Sequence, residues 1–183
     1  METILRGAGI LESEVVAYAD GACYPNPGPG GWAAILLWFD GAIVIEHQIS
    51  GGTEYTTNNR MEMQAVLEAL KVCKRPVKIV VYSDSQYVVH SIGTWIEGKP
   101  DFINPGWLPF WKSRGWRTVG NKKVKNQDLW EALWEECSCH CRIEMKHVKG
   151  HSGVVLNERC DELAVSAKRR FIEIAANKNK TNF

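Results

Sequence analysis

The sequence predicts an α/β domain built around a mixed β-sheet. Three segments rich in β-formers follow one another near the start of the chain, and Asp40-Gly41, a strong hairpin signal, separates the second from the third. A segment with helical spacing, about 57–72, then precedes a fourth β-type segment. Strands joined by short turns pair antiparallel, whereas an intervening helix permits parallel pairing. We therefore expect a sheet that begins antiparallel and becomes partly parallel.

The remaining elements follow from local composition. β-Branched and aromatic residues mark the first strand, 14–20, which runs into the turn-rich GACYPNPGPGG, while WAAILLWF and AIVIEHQI supply the second and third strands. VKIVVYSD is the fourth strand and CRIEMKHV the fifth. Helical spacing predicts further helices over 85–96, 126–136 and 157–175. Pro100, Pro105 and Pro109 predict a loop over 98–109.

Length and composition predict one domain. A chain of 183 residues with 45% hydrophobic content can bury one core and is short for two. The longest apolar run, 32–39, is too short to cross a bilayer, and the first residues lack the features of a secretory signal, which predicts a cytoplasmic protein without membrane attachment. We divide it into a leader at 1–13, a domain over 14–175 that includes an extended loop and basic protrusion at 98–125, and a polar tail at 176–183.

The six cysteines predict reduced thiols rather than disulfides, because no export signal accompanies them. Cys137, Cys139 and Cys141 enclose His140 and suggest a zinc site, but paired zinc ligands usually stand two or more residues apart, which argues against it. The formal net charge of +1 neither indicates nor excludes a polyanionic partner.

Glu62 lies on the apolar stripe of the first predicted helix. If Ala65, Val66, Ala69 and Cys73 form that stripe, Glu62 shares their face at helical spacing. An isolated ionised carboxylate away from water is costly, so Glu62 must be protonated, paired, or placed at the lip of a cleft. The alternative is a position near the helix start, where the macrodipole favours acids, and the helix alone favours this simpler interpretation.

Three other acids stand at the ends of predicted elements. Asp20 closes the first strand, Asp84 ends the fourth, and Asp161 lies in the first turns of the last helix. If strands one and four pair, these acids and Glu62 meet at one edge of the sheet, where they would suit Mg²⁺ or Mn²⁺ and a two-metal hydrolysis of a phosphodiester. Taken singly, the aspartates equally fit turn formation or a helix dipole.

The segment WKSRGWRTVGNKKVK, 111–125, combines basic and aromatic residues without an acid. Such a local excess of positive charge suits phosphate binding that weakens with salt. The simpler interpretation is a solvated charged face with core tryptophans, and the segment alone does not decide between the two.

Five segments, in order, resemble type 1 ribonuclease H: YADGACYPNPGPGGWAAIL, TTNNRMEMQAVLEAL, YSDSQYVV, WKSRGWRT…KKVKNQDLWEAL and HVKGHSGVVLNERCDELA. The resemblance extends from about Val15 to Ala167. It implies the ribonuclease H fold, a five-stranded mixed sheet whose first three strands are antiparallel, with helices on both faces. It also implies an endonuclease that cuts the RNA strand of an RNA/DNA hybrid and leaves a 3′-hydroxyl and a 5′-phosphate.

The resemblance also assigns residues. It implies that Asp20, Glu62, Asp84 and Asp161 bind the metal ions and that His151 assists proton transfer or product release. It further implies a set of hybrid-binding residues, in the loops next to the acids and in the basic protrusion: Cys23, Asn26, Thr57, Asn58, Asn59, Gln86, Lys112, Arg114, Trp116, Arg117, Lys122, Lys123 and Lys125. Asn58 and Thr57 fit turn and helix-cap chemistry equally well.

Two alternatives share this fold. A nuclease acting on DNA, as in resolvases and integrases, also cuts with an acidic cluster, but the amide-rich loops and basic protrusion argue against it. A non-catalytic hybrid-binding module would not need the complete acid set. The loop at 98–109 is longer than in compact bacterial members, so it either extends the approach to the protrusion or repositions it. A monomer is expected.

Overall fold

The strands form a single mixed sheet in the computed structural model, which describes residues 14–40 and 42–181. The spatial order is β3-β2-β1-β4-β7-β5-β6. β1, β2 and β3 are successively antiparallel, β4 pairs parallel with both β1 and β7, and β5 and β6 close the far edge. The strand bounds are β1 Glu14–Cys23, β2 Gly28–Asp40, β3 Ile43–Thr56, β4 Lys78–Ser83, β5 Thr94–Ile96, β6 Lys99–Pro100 and β7 Arg142–His147.

The five predicted strands are confirmed as β1 to β4 and β7. The count of five is wrong, because the short strands β5 and β6 extend the sheet beyond β7. The second predicted helix, 85–96, ends at Ile92, since Gly93 adopts a φ of 66° that a residue with a side chain rarely takes. The chain then turns back and pairs with β7 as β5.

Five helices are present in the part of the chain that the structure describes, and they cover both faces of the sheet. α1, α2 and α4 pack with β1, β4 and β7 around the larger core, in which Trp95 and Trp130 are fully buried. α5 packs on the opposite face around Ala33, Ile35 and Cys160. The helix bounds are α1 Asn58–Val72, α2 Gln86–Ile92, α3 Leu108–Ser113, α4 Gln127–Cys137 and α5 Val155–Thr181.

The last helix is longer than the sequence predicts. α5 begins at Val155 rather than Asn157 and continues to Thr181, so most of the predicted polar tail is helical. The leader at 1–13 and the last two residues lie outside the described residues. Among the described helices, none combines the length and apolar character needed to span a bilayer.

The segment 98–109 is not entirely a loop, because β6 lies at its start and α3 begins at Leu108. Between them the chain is held by backbone hydrogen bonds: Thr94 N–H donates to Asn104 C=O at 2.8 Å, and Trp107 N–H donates to Ser91 C=O at 2.9 Å. The Trp107 ring then packs against Trp111, with centroids 5.8 Å apart. This segment therefore braces α3 at the base of the basic protrusion.

Candidate active site

The parallel pairing of β1 with β4 brings two acids to one edge of the sheet. Tyr18 lies opposite Tyr82 in the register, and their rings stack at 4.9 Å. Two residues further along come Asp20, which lies in β1 just beyond its last pairing with β4, and Asp84, which directly follows β4. The conjecture that strands one and four are neighbours is therefore confirmed. The predicted end of the first strand at Asp20 is wrong, because β1 continues to Cys23 through its pairing with β2.

All four predicted metal ligands line one cavity of about 290 Å³. Asp20 and Asp84 come from the strand ends, Glu62 from the first turns of α1, and Asp161 from the second turn of α5. His151 lines the same cavity. The further lining residues are Gly21, Ala22, Cys23, Asn58, Asn157, Glu158, Val165 and Lys168.

Asp20 is the most buried of these acids, with 6% of its surface exposed. The Gly21 N–H donates to its Oδ1 at 2.6 Å. Burial raises the pKa of the Asp20 carboxyl to about 8, and the negative charges of Asp84, Asp161 and Glu62 act in the same direction against the Gly21 hydrogen bond. Gly21 also lies against α1, since a Cβ there would stand 2.2 Å from the Glu62 nitrogen.

Glu62 stands at the lip of this cavity, which explains why a carboxylate lies on the apolar stripe of α1. Its Oε1 accepts a hydrogen bond from Asn58 Nδ2 at 2.6 Å, and the Ser85 hydroxyl also hydrogen-bonds it. Burial nevertheless raises the pKa of the Glu62 carboxyl, with a further contribution from the charge of Asp84. The acid is thus oriented by two neutral groups and lacks a cationic partner among the described residues.

Asp84 lies beneath the loop that carries His151. A Cβ on Gly150 would stand 2.7 Å from Asp84 Oδ2, so this glycine lets the loop approach the carboxylate. Burial and the charge of Asp161 raise the pKa of the Asp84 carboxyl, while the imidazoles of His147 and His151 oppose that rise. His147 Nε2 also lies 3.2 Å from the Asp84 carbonyl oxygen.

His151 is exposed on a turn that precedes α5. Its φ of 51° is unusual for a residue with a side chain, and the turn is tied down by the Gly153 N–H, which donates to Glu158 Oε1 at 2.9 Å. Glu158 lies in the first turn of α5, where a carboxylate that reaches back to a preceding N–H caps the helix. The imidazole therefore lies on the wall of the acidic cavity, on a turn that the Gly153–Glu158 hydrogen bond joins to α5.

The donor set of the cavity fits divalent cations. Four carboxylates are hard oxygen ligands of the kind that Mg²⁺ and Mn²⁺ prefer. The pKa values of Asp20, Glu62 and Asp84 are raised first by burial and then by the neighbouring negative charges, and a bound cation would oppose both effects. Within residues 14–40 and 42–181, no three histidine, cysteine, aspartate or glutamate side chains form a group that could hold a metal ion as placed. The four carboxylates therefore line the walls of one cavity, but as placed they do not form a coordination cage.

The cysteine-rich segment 137–141 does not form a cluster of similar thiols. Cys137 is fully buried in the core and Cys139 is exposed, so their thiols occupy different environments. All six cysteines are free thiols.

The loop after β1 and the start of α1 are joined by amide hydrogen bonds. Asn58 Oδ1 accepts from the Cys23 N–H at 3.1 Å, and Asn26 Oδ1 accepts from the Asn58 N–H at 3.3 Å. Asn58 and Cys23 line the cavity, whereas Asn26 and Gln86 are exposed beside it. Thr57 occupies the N-cap position of α1 without a side-chain capping hydrogen bond, so its hydroxyl does not serve that structural role.

The basic protrusion is a small hairpin that follows α3. Val124 N–H donates to Trp116 C=O at 2.9 Å, Arg117 and Lys123 form an isolated antiparallel bridge, and Thr118 N–H donates to Lys122 C=O at 2.9 Å. Trp116 is half-buried against the core. The predicted cationic residues of the segment are all exposed: Lys112, Arg114, Arg117, Lys122, Lys123 and Lys125.

An aromatic chain supports this hairpin from below. Trp111 on α3 packs against Trp130 on α4 at 5.7 Å, and Trp130 Nε1 donates to the Tyr87 hydroxyl at 3.0 Å. Of the two tryptophans in the segment, Trp111 is buried and supports the hairpin, whereas Trp116 is half-buried. Lys112 lies over the Trp134 ring at 4.2 Å, which places one of the predicted phosphate ligands on this aromatic surface.

A second cavity, of about 300 Å³, lies between the protrusion and the start of α1. Asn59 and Tyr87 line it opposite Lys122, Lys123 and Lys125, with further contributions from Trp111, Thr118, Val124 and Asn126. Since the adjacent residue Asn58 lines the acidic cavity, the first turn of α1 connects the two cavities. Six of the predicted hybrid-binding residues line one of these two cavities: Cys23, Asn58, Asn59, Lys122, Lys123 and Lys125. The others, including Lys112, Arg114, Trp116 and Arg117, line neither.

Three polar lining residues of the acidic cavity were missed by sequence reasoning: Asn157, Glu158 and Lys168. Asn157 is 3% exposed, and its Oδ1 is buried without a hydrogen-bond partner. The sequence separation of Lys168 from Asp161 could have predicted that Lys168 lies near the acids. Residues 161, 165 and 168 recur at helical spacing, so they share one face of α5.

Comparison with known proteins gives consistent matches. The family model described as RNase H matches residues 12–169. A protein named Ribonuclease H from Chromobacterium violaceum is 48% identical over 153 residues, covering 84% of this chain and 93% of its own length. Another of that name from Aromatoleum aromaticum is 48% identical over 163 residues, covering 87% and 95%.

The fold is also found in solved structures. LC9-RNase H1, described as a type 1 RNase H with the type 2 active-site motif, superposes with a TM-score of 0.72 at 26% identity, covering 88% of this chain and 74% of that chain. The resemblance inferred from the sequence motifs, and the α/β fold that it implies, are confirmed by these matches.

Proposed function

The chain belongs to the ribonuclease H family, and we propose that its acidic cavity is the site at which the RNA strand of an RNA/DNA hybrid is hydrolysed. The observation that carries the proposal is the convergence of Asp20, Glu62, Asp84 and Asp161 on one cavity. Such a cluster of partly buried acids stores electrostatic repulsion that an ordinary surface would not tolerate, and this marks it as a functional site.

Ribonucleases H are metal-dependent enzymes, and the four carboxylates are the residues that would hold the ions. We propose Mg²⁺ as the cofactor, with Mn²⁺ as a substitute, because both prefer hard oxygen ligands. When bound, two such ions supply the positive charge that activates water and stabilises the leaving oxygen.

The chain's own groups hold this arrangement in place. The Gly21 N–H fixes the Asp20 carboxylate, while Asn58 and Ser85 orient that of Glu62. Hydrolysis joins the water oxygen to phosphorus and breaks the bond from phosphorus to the 3′ oxygen, so a proton leaves the water and another reaches the leaving oxygen. We assign to His151 the transfer of a proton into or out of the cavity, which is supported by its exposed position on the cavity wall.

We assign the discrimination of RNA from DNA to the amide side chains that lie in and beside the two cavities. Recognition of RNA requires contact with the 2′-hydroxyl, which both donates and accepts hydrogen bonds. Asn58 lines the acidic cavity and Asn59 the adjacent one, and Asn26, Gln86, Thr57 and Cys23 lie next to them. The exposed lysines and arginines of the protrusion then bind phosphates further along the hybrid.

One experiment tests the proposed function. The protein is incubated with an RNA/DNA hybrid, an RNA duplex and a DNA duplex, each strand separately labelled, in Mg²⁺ and in a chelator. We expect cutting of the RNA strand of the hybrid alone, only in Mg²⁺, with 3′-hydroxyl and 5′-phosphate ends. Equal cutting of the DNA duplex would favour the resolvase-like alternative, and binding without cutting would favour a non-catalytic module.

We further propose that the protein acts as a cytoplasmic monomer. The six free thiols support a reducing compartment. Size-exclusion chromatography with light scattering tests the monomeric state directly, and a dimer at micromolar concentration would refute it.

A further inference from the structure

Lys168 lines the acidic cavity from α5, two helical turns beyond Asp161. At 1.5 Å of rise per residue, their backbones stand about 10.5 Å apart along the helix. Val165 lies between them on the same face. The lysine therefore extends the acidic cavity in the direction of the helix axis, away from the carboxylates and towards the loop after β1.

The backbone at Lys168 is held against the sheet. A Cβ on Gly31 would stand 2.3 Å from both the Ala164 oxygen and the Lys168 nitrogen, so β2 and α5 approach each other as closely as glycine allows. Ala164 and Ala167 are fully buried at this contact. This close contact sets the position of the Lys168 backbone against β2.

The Lys168 side chain lines the cavity near Cys23. The groups that raise the pKa of Asp20 include the other carboxylates of the cavity, whereas the positive charge of Lys168 acts on the Cys23 thiol, where it opposes a rise in pKa caused by burial. Two other cations of α5 have partners on β3, since Arg159 pairs with Glu46 and Arg170 donates to Ser50. Within the described part of the chain, the Lys168 ammonium forms neither a hydrogen bond nor a salt bridge.

We propose that Lys168 binds a backbone phosphate of the RNA strand next to the phosphate that is cut. This proposal rests on the proposed function of the acidic cavity. Through divalent ions, the acids would hold the phosphate that is cut. The Lys168 ammonium, at the end of a long side chain, would then bind the next phosphate along the same strand. A purely structural lysine would instead pair with the acids of its own cavity.

The first test compares Lys168→Met, which keeps the length of the stem and removes the charge, with Lys168→Arg. Arg169→Met is the matched control, since it removes one charge from the adjacent, exposed position of the same helix. Hybrid affinity is measured by fluorescence anisotropy over a range of salt concentrations, and cleavage at saturating hybrid gives kcat. We expect Lys168→Met to weaken binding about five- to tenfold and to lower the salt slope by about one, with kcat within about twofold.

Lys168→Arg should restore most of the affinity, and Arg169→Met should leave both affinity and salt slope close to those of the wild type. An unchanged salt slope in Lys168→Met, or an equal loss in Arg169→Met, would overturn the proposal. A fall in kcat without a loss of affinity would also overturn it, because the lysine would then act in the chemistry. Absence of cleavage by the wild-type protein would instead refute the proposed function.

The second test locates the phosphate. Hybrids are prepared with one uncharged methylphosphonate linkage at successive positions of the RNA strand on either side of the cut. For the wild type, we expect neutralisation at one position close to the cut to weaken binding by the same factor as Lys168→Met. At that position the variant should lose nothing further, since the partner charge is already absent. Equal losses in the wild type and the variant at every position would refute the assignment.

Discussion

The acidic cavity and the basic protrusion are built in opposite ways. In the cavity, carboxylates stand at strand ends and helix starts, and Asp20 is 6% exposed with its pKa raised to about 8. In the protrusion, Lys122 and Lys123 are exposed on a hairpin, and the fixed parts are the aromatic rings beneath them. The cavity therefore withdraws its carboxyl groups from water, which raises their pKa values, and the protrusion presents its charges to water.

This difference predicts that the cavity determines the rate of cleavage and that the protrusion determines the affinity for the hybrid. Charges withdrawn from water interact strongly with one another and with bound ions, and salt screens them little. Exposed charges bind phosphates by releasing counterions, so their contribution depends on salt and little on exact geometry. Changes in the cavity should therefore abolish turnover, and changes in the protrusion should alter affinity.

The largest expected effect is that of Asp84→Asn. The substitution keeps the shape of the side chain and removes a charge from the cavity, so we expect kcat to fall by about 10³-fold or more while hybrid binding is unchanged or tighter. Single-turnover cleavage and anisotropy measured on the same preparation check both parts. Turnover close to that of the wild type would show that the cavity is not the site of cleavage.

A smaller effect is expected from the paired substitution Lys122→Ala with Lys123→Ala. Each lost phosphate contact lowers the salt slope by about 0.9, so the pair should reduce it by about 1.8 and weaken binding about tenfold near 0.1 M salt. The rate at saturating hybrid should not change. The matched control is Lys74→Ala with Arg75→Ala, two exposed cations just beyond the end of α1. Loss of affinity in the control alone would place the hybrid on another surface.

A third effect concerns folding rather than turnover or affinity, and it is a dependence of stability on pH. Because the pKa of Asp20 is raised to about 8, the folded state retains a proton that the unfolded state releases near pH 4. Stability without divalent ions should therefore fall as pH rises from about 4 to about 8. Asp20→Asn removes this loss, so the variant should exceed the wild type by about 2 to 5 kcal/mol at pH 9 and differ little at pH 4. Urea unfolding at each pH measures the difference.

Asp128→Asn is the control variant, for which the expected change in stability has the opposite sign. The Arg60 guanidinium donates two hydrogen bonds to Asp128, at 2.9 and 2.6 Å, and lowers the pKa of that carboxyl. The stability that this pair contributes is present above the unfolded pKa and is lost as pH falls, so this variant should be the less stable one at neutral pH. If both variants change stability in the same direction at pH 8, the pKa assignment of Asp20 is wrong.

Much of the fold was readable from local patterns. β1 to β4 and α1 carry clear alternation, turns and helical spacing, and their order predicts the parallel contact that joins Asp20 to Asp84. β5, β6 and α3 were missed because they depend on tertiary contacts. Gly93 and Gly106 pack against backbone atoms of Asn104 and Ser91, and no sequence period records such an approach.

The site was readable to a similar degree. The acids were found because each ends a recognisable element or, in Glu62, breaks an apolar stripe. Asn157, Glu158 and Lys168 were missed because their place depends on how α5 lies across the sheet. That placement is set by small residues on both partners, such as Gly31 and Ala164, whose role appears only when the helix and strand are brought together.

The central claim is that the carboxylates from four separate elements form one site for divalent ions. Calorimetric titration of Mg²⁺ into the wild type, Asp20→Asn, Asp84→Asn and the surface control Glu135→Gln tests it without reference to cleavage. We predict saturable binding in the wild type and in Glu135→Gln, and its loss in both aspartate variants. Isotherms that are the same in all four proteins would contradict the account.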